Sequence, residues 1–148
     1  MLRTSIVLLA LTTPALASVG PDRPVYRLDF ELDTTEAGKP VTKTLFSLTL
    51  PEERTGEAII GDNIAVATGS AAERRNVGLQ VKSSFTLRGA DLLLDVDTEL
   101  TERAGSSTIH KLATKGTALT APGKPAVVMS IDHDKVHTEL TVTPTRLP

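Results

Sequence analysis

The feature that most constrains this chain is an alternation of apolar and polar residues, which recurs through most of its length. In the first such stretch, Tyr26, Leu28, Phe30 and Leu32 alternate with charged residues. Successive side chains of a strand point to opposite faces, so a period of two residues is typical of a half-buried β-strand and not of a helix. The pattern therefore predicts a mostly β chain.

Two alternating stretches near the start of the chain can pair in a single register, with a turn within residues 36–40. That register satisfies four cross-strand pairs at once: Tyr26 with Leu50, Leu28 with Leu48, Phe30 with Phe46, and Asp33 with Lys43. A slip of one residue would turn the whole apolar face towards water. The sequence therefore predicts a hairpin here.

Two further hairpins are predicted on the same grounds. The second turns at Arg88-Gly89-Ala90-Asp91 and pairs Leu79 with Leu100, Lys82 with Asp97, Phe85 with Leu94, and Leu87 with Leu92. The third follows a Pro-Gly turn at residues 121–125. Its apolar positions are Val127, Met129 and Ile131 before the turn Asp132-His133-Asp134-Lys135, and Val136, Thr138, Leu140 and Val142 after it.

The remaining segments are less regular. Residues 57–60 and 64–68 predict a short hairpin around Gly61-Asp62-Asn63, and residues 108–114 predict a weakly patterned strand. Residues 68–76 and 101–107 are predicted loops, and residues 70–75 are the one stretch suited to a helical turn. About eight strands without crossover helices predict an all-β antiparallel meander, folded as a sandwich or open barrel.

The first 17 residues have the form of a secretory signal. Basic Arg3 precedes an apolar stretch at residues 6–11 and the small-residue exit Ala15-Leu16-Ala17. The apolar stretch is much shorter than the roughly 20 residues that span a bilayer as a helix. We therefore expect cleavage before Ser18 and export of a single domain, residues 18–148, to the periplasm or beyond, with no membrane span in the mature chain.

Composition excludes several classes of function. The chain has no cysteine, so disulfides and thiol chemistry are excluded. Its 16 basic and 18 acidic residues are mixed along the sequence, and it has only one Tyr and three Phe. Nucleic-acid binding needs clustered cations and usually aromatic stacking, so we expect no nucleic-acid partner.

A metal site is suggested by Asp132-His133-Asp134 together with His137. Side chains four residues apart on a strand lie roughly 13 Å apart, which is too far to share one ion. Aspartate is also favoured in turns because it bonds to nearby backbone groups. We therefore interpret the segment as a solvated turn and predict no metal ligand.

Three further arrangements of residues typical of enzymes are incomplete in this sequence. Gly69-Ser70 and Gly105-Ser106 lack the flanking glycines of a nucleophile elbow. Gly61-Asp62-Asn63 is not part of a phosphate-binding loop. The acidic rows alternate with apolar residues, as on the wet face of an antiparallel strand: Asp29, Glu31, Asp33, Asp95, Asp97 and Glu99. We therefore predict no catalytic residue, no cofactor-binding residue and no cofactor.

Residues 57–143 resemble the core β domain of bacterial secretins of type II and type III secretion systems. The resemblance is carried by four short stretches: a glycine-led strand at 60–70, a Val-Gly strand at 76–81, an acidic alternating strand at 92–100, and a late glycine-led strand at 123–128. One hairpin lies between the expected signal and this region. The chain thus resembles a short form that lacks the ring-building N-terminal domains.

The resemblance implies an exported, non-enzymatic β domain of the bacterial cell envelope that acts by protein contact. Its expected partners are other envelope or secretion-system proteins. Two alternatives remain open: an outer-membrane ring or channel subunit, and a small ligand-binding β-barrel or enzyme with an unrecognised site. The registers place Phe30, Phe46 and Phe85 in a core and not in a lipid-facing belt, which favours the first interpretation.

Overall fold

A computed structural model describes residues 23–68, 71–103 and 109–148. Eight strands occur in these residues: β1 Val25–Glu36, β2 Lys39–Pro51, β3 Gly56–Thr68, β4 Ala71–Arg88, β5 Asp91–Arg103, β6 Ile109–Thr120, β7 Ala126–His133 and β8 Val136–Arg146. No helix interrupts this part of the chain, so the predicted all-β class is confirmed.

The strands form two four-stranded antiparallel sheets. One has the order β2-β1-β8-β7 and is called sheet A here; the other, sheet B, has the order β3-β4-β5-β6. Sheet B is the predicted meander. In sheet A the first and last strands pair with each other, from Tyr26 opposite Arg146 to Glu36 opposite Val136. This pairing joins the first hairpin to the third, a connection that the sequence pattern left open.

The two strongest predicted hairpins have the predicted registers. In the first, Phe30 lies opposite Phe46 and Asp33 opposite Lys43. In the second, Phe85 lies opposite Leu94. The other predicted pairs of both hairpins are also present. The alternation in the sequence is therefore the alternation between core and solvent in the structure.

The inward faces of the two sheets form one core. Tyr26 of sheet A meets Phe85 of sheet B edge to face, with ring centroids 5.1 Å apart. Phe30 stacks on Phe46 within sheet A at 4.9 Å. Phe30 and Phe85 are almost fully buried, and Phe46 is half-buried because it lies on an edge strand. The aromatic rings thus face the core, as predicted.

The prediction of a short hairpin within residues 57–68 is wrong. Strand β3 runs through Gly61-Asp62-Asn63 without turning and pairs along its length with β4. Gly61 faces Gly78 across this ladder, and both have positive φ angles, 150° and 138°. Two facing glycines let the paired strands depart from ordinary strand geometry while their pairing continues, so the glycine marks no chain reversal.

The predicted loops are also shorter than expected. Residues 71–76 belong to β4, so neither a loop nor a helical turn forms there, and residues 101–103 belong to β5. Of the predicted strand at 108–114, residues 109–114 form the beginning of β6, which continues to Thr120, and residue 108 lies outside the described residues. The predicted signal, Gly69-Ser70 and Gly105-Ser106 lie outside the described residues.

One predicted core position is wrong in β7. The β7–β8 register shifts between Val127 and Met129, which is a β-bulge. The extra residue reverses the alternation, so Val127 points outwards and is 51% exposed, whereas Val128 is buried beside Met129. The alternation of residues cannot reveal this bulge, because Ala126, Val127, Val128 and Met129 are all apolar and fit either register.

Candidate functional site

The segment considered for a metal site is a solvated hairpin end, as predicted. The turn itself is Asp134-Lys135, and the side chains of Asp132, His133 and Asp134 are all more than 80% exposed. His137 lies opposite Asp132, with its Nδ1 2.7 Å from the Asp132 Oδ1 and its Nε2 3.8 Å from the Glu139 Oε2. Among the described residues, no three His, Asp or Glu side chains come together as metal ligands would.

We expect the stability contributed by this hairpin end to depend on pH, because His137 is paired there with Asp132. The hydrogen bond to Asp132 raises the pKa of His137, and attraction from Asp132 and Glu139 adds to the effect. A raised folded-state pKa means that the charged pair stabilises the fold fully below the unfolded value of about 6.5. This contribution is lost as the pH rises through the folded pKa. We expect Asp132→Asn to lower the pKa of His137 in an NMR titration.

The matched control for that titration is Asp134→Asn, because Asp134 lies two residues away and faces His133 instead. It should leave the titration of His137 unchanged. Equal shifts in the two variants would show that general surface charge, and not the Asp132 hydrogen bond, sets the pKa.

The acidic rows lie on the outer faces of the two sheets and are paired with side chains of neighbouring strands. Asp29 accepts a hydrogen bond from Ser47 at 2.6 Å, and Glu31 pairs with Lys43 at 2.5 Å. Partial desolvation, followed by a hydrogen bond with Glu31, raises the pKa of Asp33. The hydrogen bond from Lys43 lowers the pKa of Glu31.

The acidic row of sheet B is also paired with side chains of the neighbouring strand. Glu99 pairs with Lys111 at 2.8 Å, Asp97 lies 3.6 Å from Lys115, and Asp95 accepts a hydrogen bond from Thr117. These carboxylates lie on the solvated face of the sheet, where Asp97 and Glu99 also line surface grooves. They connect neighbouring strands, which is the expected role of charged cross-strand pairs.

The edges of the two sheets are the most unusual surface of the molecule. Among the side chains that the structure describes, six large apolar ones are between 41% and 66% exposed: Val41, Leu45, Ile59, Leu112, Leu119 and Val127. All six lie on the edge strands β2, β3, β6 and β7. Edge strands carry unpaired backbone groups, and exposed apolar edges are sites of pairing with other chains.

The two sides of the sandwich differ in how closely their edges meet. On one side β6 lies against β7, and a Cβ on Gly116 would overlap the carbonyl oxygen of Val128. On the other side, Phe46 and Leu48 of β2 are only half-buried, although their partners in β1 are fully buried. The β2 side is therefore the more open one, and its apolar edge is exposed.

A second unusual feature is a two-stranded ribbon, residues 62–77, formed by the distal parts of β3 and β4. The pairing of β4 with β5 begins at Gly78, opposite Thr101, whereas its pairing with β3 continues to Ala71. The ribbon therefore extends beyond the third strand of the sheet. Facing Gly61 and Gly78 form its base, and a groove of about 360 Å³ lies beside them.

Known structures share this fold. The chain matches one in the type II secretion system outer membrane complex of Klebsiella pneumoniae, which contains PulD, PulS and the PulC HR domain, with a TM-score of 0.56 and 13% identity over 86% of this chain. It also matches the secretin XcpQ of Pseudomonas aeruginosa, with a TM-score of 0.52 and 13% identity over 84%. The match to the Salmonella type III secretin InvG has a TM-score of 0.53 and 9% identity over 84% of this chain.

These matches define the fold of the chain as a secretin-like β domain. They reach beyond residues 57–143, to which the sequence resemblance was limited. The chain spans 41%, 57% and 62% of the lengths of those three chains. No protein-family profile matches the sequence, and no curated protein does either. Within the described residues there is no helix long and apolar enough to cross a membrane.

Sequence reasoning missed the edge surface, although all of its residues were visible. Leu45, Leu119 and Val127 are isolated apolar residues, which are common on protein surfaces and carry no signal alone. They become informative only when the strand order shows that they share the edges. One contrast between strands could have indicated the edge surface. Most outward positions of β1 and β5 carry charged residues, whereas β2 has Leu45 at an outward position.

Proposed function

We propose that this chain is an exported, non-enzymatic domain of the cell envelope that acts by protein contact through its edge strands. The observation that carries the proposal is the confinement of the exposed apolar side chains to edge strands in the described part of the chain. Two similar solved structures come from complexes, one with PulS and the PulC HR domain and one of the pilotin–secretin pair AspS–GspD. They support a partner that is an envelope or secretion-system protein.

Contact through the β2 edge can be tested because the chain has no cysteine. A single Leu45→Cys substitution on β2 should form a cross-linked product of defined mass when a short thiol-to-amine reagent is applied to intact cells. A product of twice the chain mass would identify a second copy as the partner, and any other defined mass a different protein. Either product supports the proposal.

The matched control is Thr143→Cys, which lies on the outward face of the same sheet but on the central strand β8. It should form little product under the same conditions. Equal yields at the two positions, or no product at Leu45, would contradict contact through the edge.

The second candidate function is an outer-membrane ring or channel subunit. It is favoured by the breadth of the structural match, since the solved secretins cover most of the described residues. Open edges on both sheets also suit repeated side-by-side contact, which can close a ring. Fractionation with the outer membrane and a multimer that survives heating in detergent would favour this function. Solubility without detergent, as a monomer or small oligomer, would favour the first.

The small ligand-binding barrel has less support. The space between the sheets is filled by fully buried side chains, including Leu28, Leu94, Leu140 and Val142. Known ligand-binding barrels enclose a cavity at that position. The described grooves lie instead at the ends and outer faces of the sandwich, and one of about 420 Å³ is lined from both sheets at one end, by Leu100, Ile131 and Thr138 among others.

A further inference from the structure

One end of the sandwich gathers parts of the chain that are distant in sequence. A groove of about 530 Å³ is lined there by Arg23, Tyr26, Leu87, Ala90, Pro122 and Arg146, among others. Backbone hydrogen bonds hold these parts together, since Gly123 donates to Pro144 at 2.7 Å and Leu147 donates to Val25 at 2.9 Å. The groove is thus built from both ends of the described chain, the β4–β5 turn and the β6–β7 turn.

This end, called the basic end here, carries five cations and three acids among the described residues; the cations are Arg23, Arg54, Arg88, Lys124 and Arg146. Arg88 and Lys124 are exposed at the two turns. The three acids are Glu52, Glu53 and Asp91, and Asp91 lies opposite Arg88 at the β4–β5 turn. Glu53 pairs with Arg23 at 3.6 Å, and Glu52 accepts a hydrogen bond from the Leu87 N–H at 2.8 Å.

The opposite end has a different charge. The β1–β2 and β7–β8 turns meet there, where Ala37 donates to the Lys135 carbonyl at 2.8 Å. Glu36, Asp132 and Asp134 accompany Lys39 and Lys135 at these turns. Five cations and three acids leave the basic end with an excess of two positive charges, whereas two cations and three acids leave the opposite turns with an excess of one negative charge.

The geometry points to a membrane-docking role for the basic end, with an anionic phospholipid surface as its partner. Guanidinium groups bind phosphate oxygens in bidentate fashion, and clusters of four or more Lys and Arg bind anionic lipid surfaces. The cations are spread over three connections between strands and both ends of the described chain instead of converging on one point. This spacing suits many headgroups of a surface better than a single phosphate.

The apolar lining of the groove fits the same partner. Val25, Leu87 and Leu147 lie beside Arg23 and Arg146, so the groove can accept the glycerol region of a lipid together with its phosphate. Nucleic acid is disfavoured, because its single-stranded form is bound through exposed aromatic rings and Tyr26 is buried. This docking does not depend on contact through the edge strands.

Docking at this end would orient the molecule. Strand β4 runs from the ribbon at Ala71 to the basic end at Arg88, so the two features lie at opposite ends of sheet B. With the basic end against the headgroups, the ribbon points away from the membrane. The apolar edges then run roughly perpendicular to the surface and stay accessible to neighbouring proteins.

The test is co-sedimentation of the purified full chain with vesicles of phosphatidylcholine, alone or mixed with phosphatidylglycerol. We expect binding only to the anionic vesicles, decreasing with added salt because exposed charges are screened. Arg88→Glu combined with Lys124→Glu should lower the partition coefficient by at least about thirtyfold, since each cation near an anionic surface contributes roughly one kcal/mol.

The matched control is Lys39→Glu combined with Lys135→Glu, which makes the same change in net charge at exposed turns of the opposite end. It should change the partition coefficient by no more than about twofold. Equal binding to both kinds of vesicle, or equal loss in both double variants, would overturn the proposal. So would full displacement by inorganic phosphate at constant ionic strength, or tighter binding to duplex DNA than to anionic vesicles.

Discussion

Replacing Phe85 with alanine is expected to lower the free energy of unfolding by about 3–5 kcal/mol, the usual range for removal of a buried phenylalanine. Phe85 is 1% exposed and packs edge to face against Tyr26 of the other sheet. Its loss would leave a cavity between the sheets and remove an aromatic contact between them. Urea denaturation followed by circular dichroism measures the change.

The matched control is Leu45→Ala, which also shortens an apolar side chain on a strand but at a position that is 66% exposed. We expect a change within about 0.5 kcal/mol there, because little area is buried in the isolated chain. Similar losses in the two variants would mean that the two-sheet core is not the main source of stability.

Replacing Gly78 with alanine is expected to lower the free energy of unfolding by about 2–6 kcal/mol, for two reasons that add. A Cβ there would overlap the carbonyl oxygen of Ile60 on the facing strand, and the residue has a φ of 138°, which alanine rarely adopts. Backbone overlap and unfavourable φ each cost about 1–3 kcal/mol. Urea denaturation of the purified variant measures the sum.

Two other glycines separate these causes. Gly89→Ala has a positive φ of 66° but open space around the added Cβ, so we expect a loss of only about 1–2 kcal/mol. In Gly116→Ala the added Cβ would overlap the carbonyl oxygen of Val128, but residue 116 has no positive φ. We expect a loss of about 1–3 kcal/mol in the free energy of unfolding. If the Gly78 variant proved as stable as the Gly89 variant, or more stable, the β3–β4 ladder would have to separate easily at this point.

The hairpins could be predicted because their determinants are local. Two turns and the alternation around them specified every pair tested in β1–β2 and β4–β5, from Tyr26–Leu50 to Leu87–Leu92. Two wrong predictions, a hairpin at residues 57–68 and a buried Val127, each have a physical cause. Glycine at residue 61 is as compatible with a continuing paired strand as with a turn, and the bulge before Met129 shifts the alternation without changing the composition.

The candidate surfaces could not be predicted, because each depends on contacts between distant parts of the chain. Which strands are the edges of sheet A follows from the pairing of β1 with β8, whose paired residues are 100 or more positions apart. The basic end exists only because Arg23, Arg54, Arg88, Lys124 and Arg146 are brought to one end of the sandwich. None of these residues has a sequence neighbour that marks its role.

The sequence by itself determined that this chain forms antiparallel ribbons, and which side of most ribbons faces the core, because burial in a strand follows a period of two residues. Only the tertiary structure decided how the ribbons join into two sheets, which edges stay open and which charges gather at one end. Those outcomes depend on packing between segments that are distant in sequence, and local alternation carries no information about that packing.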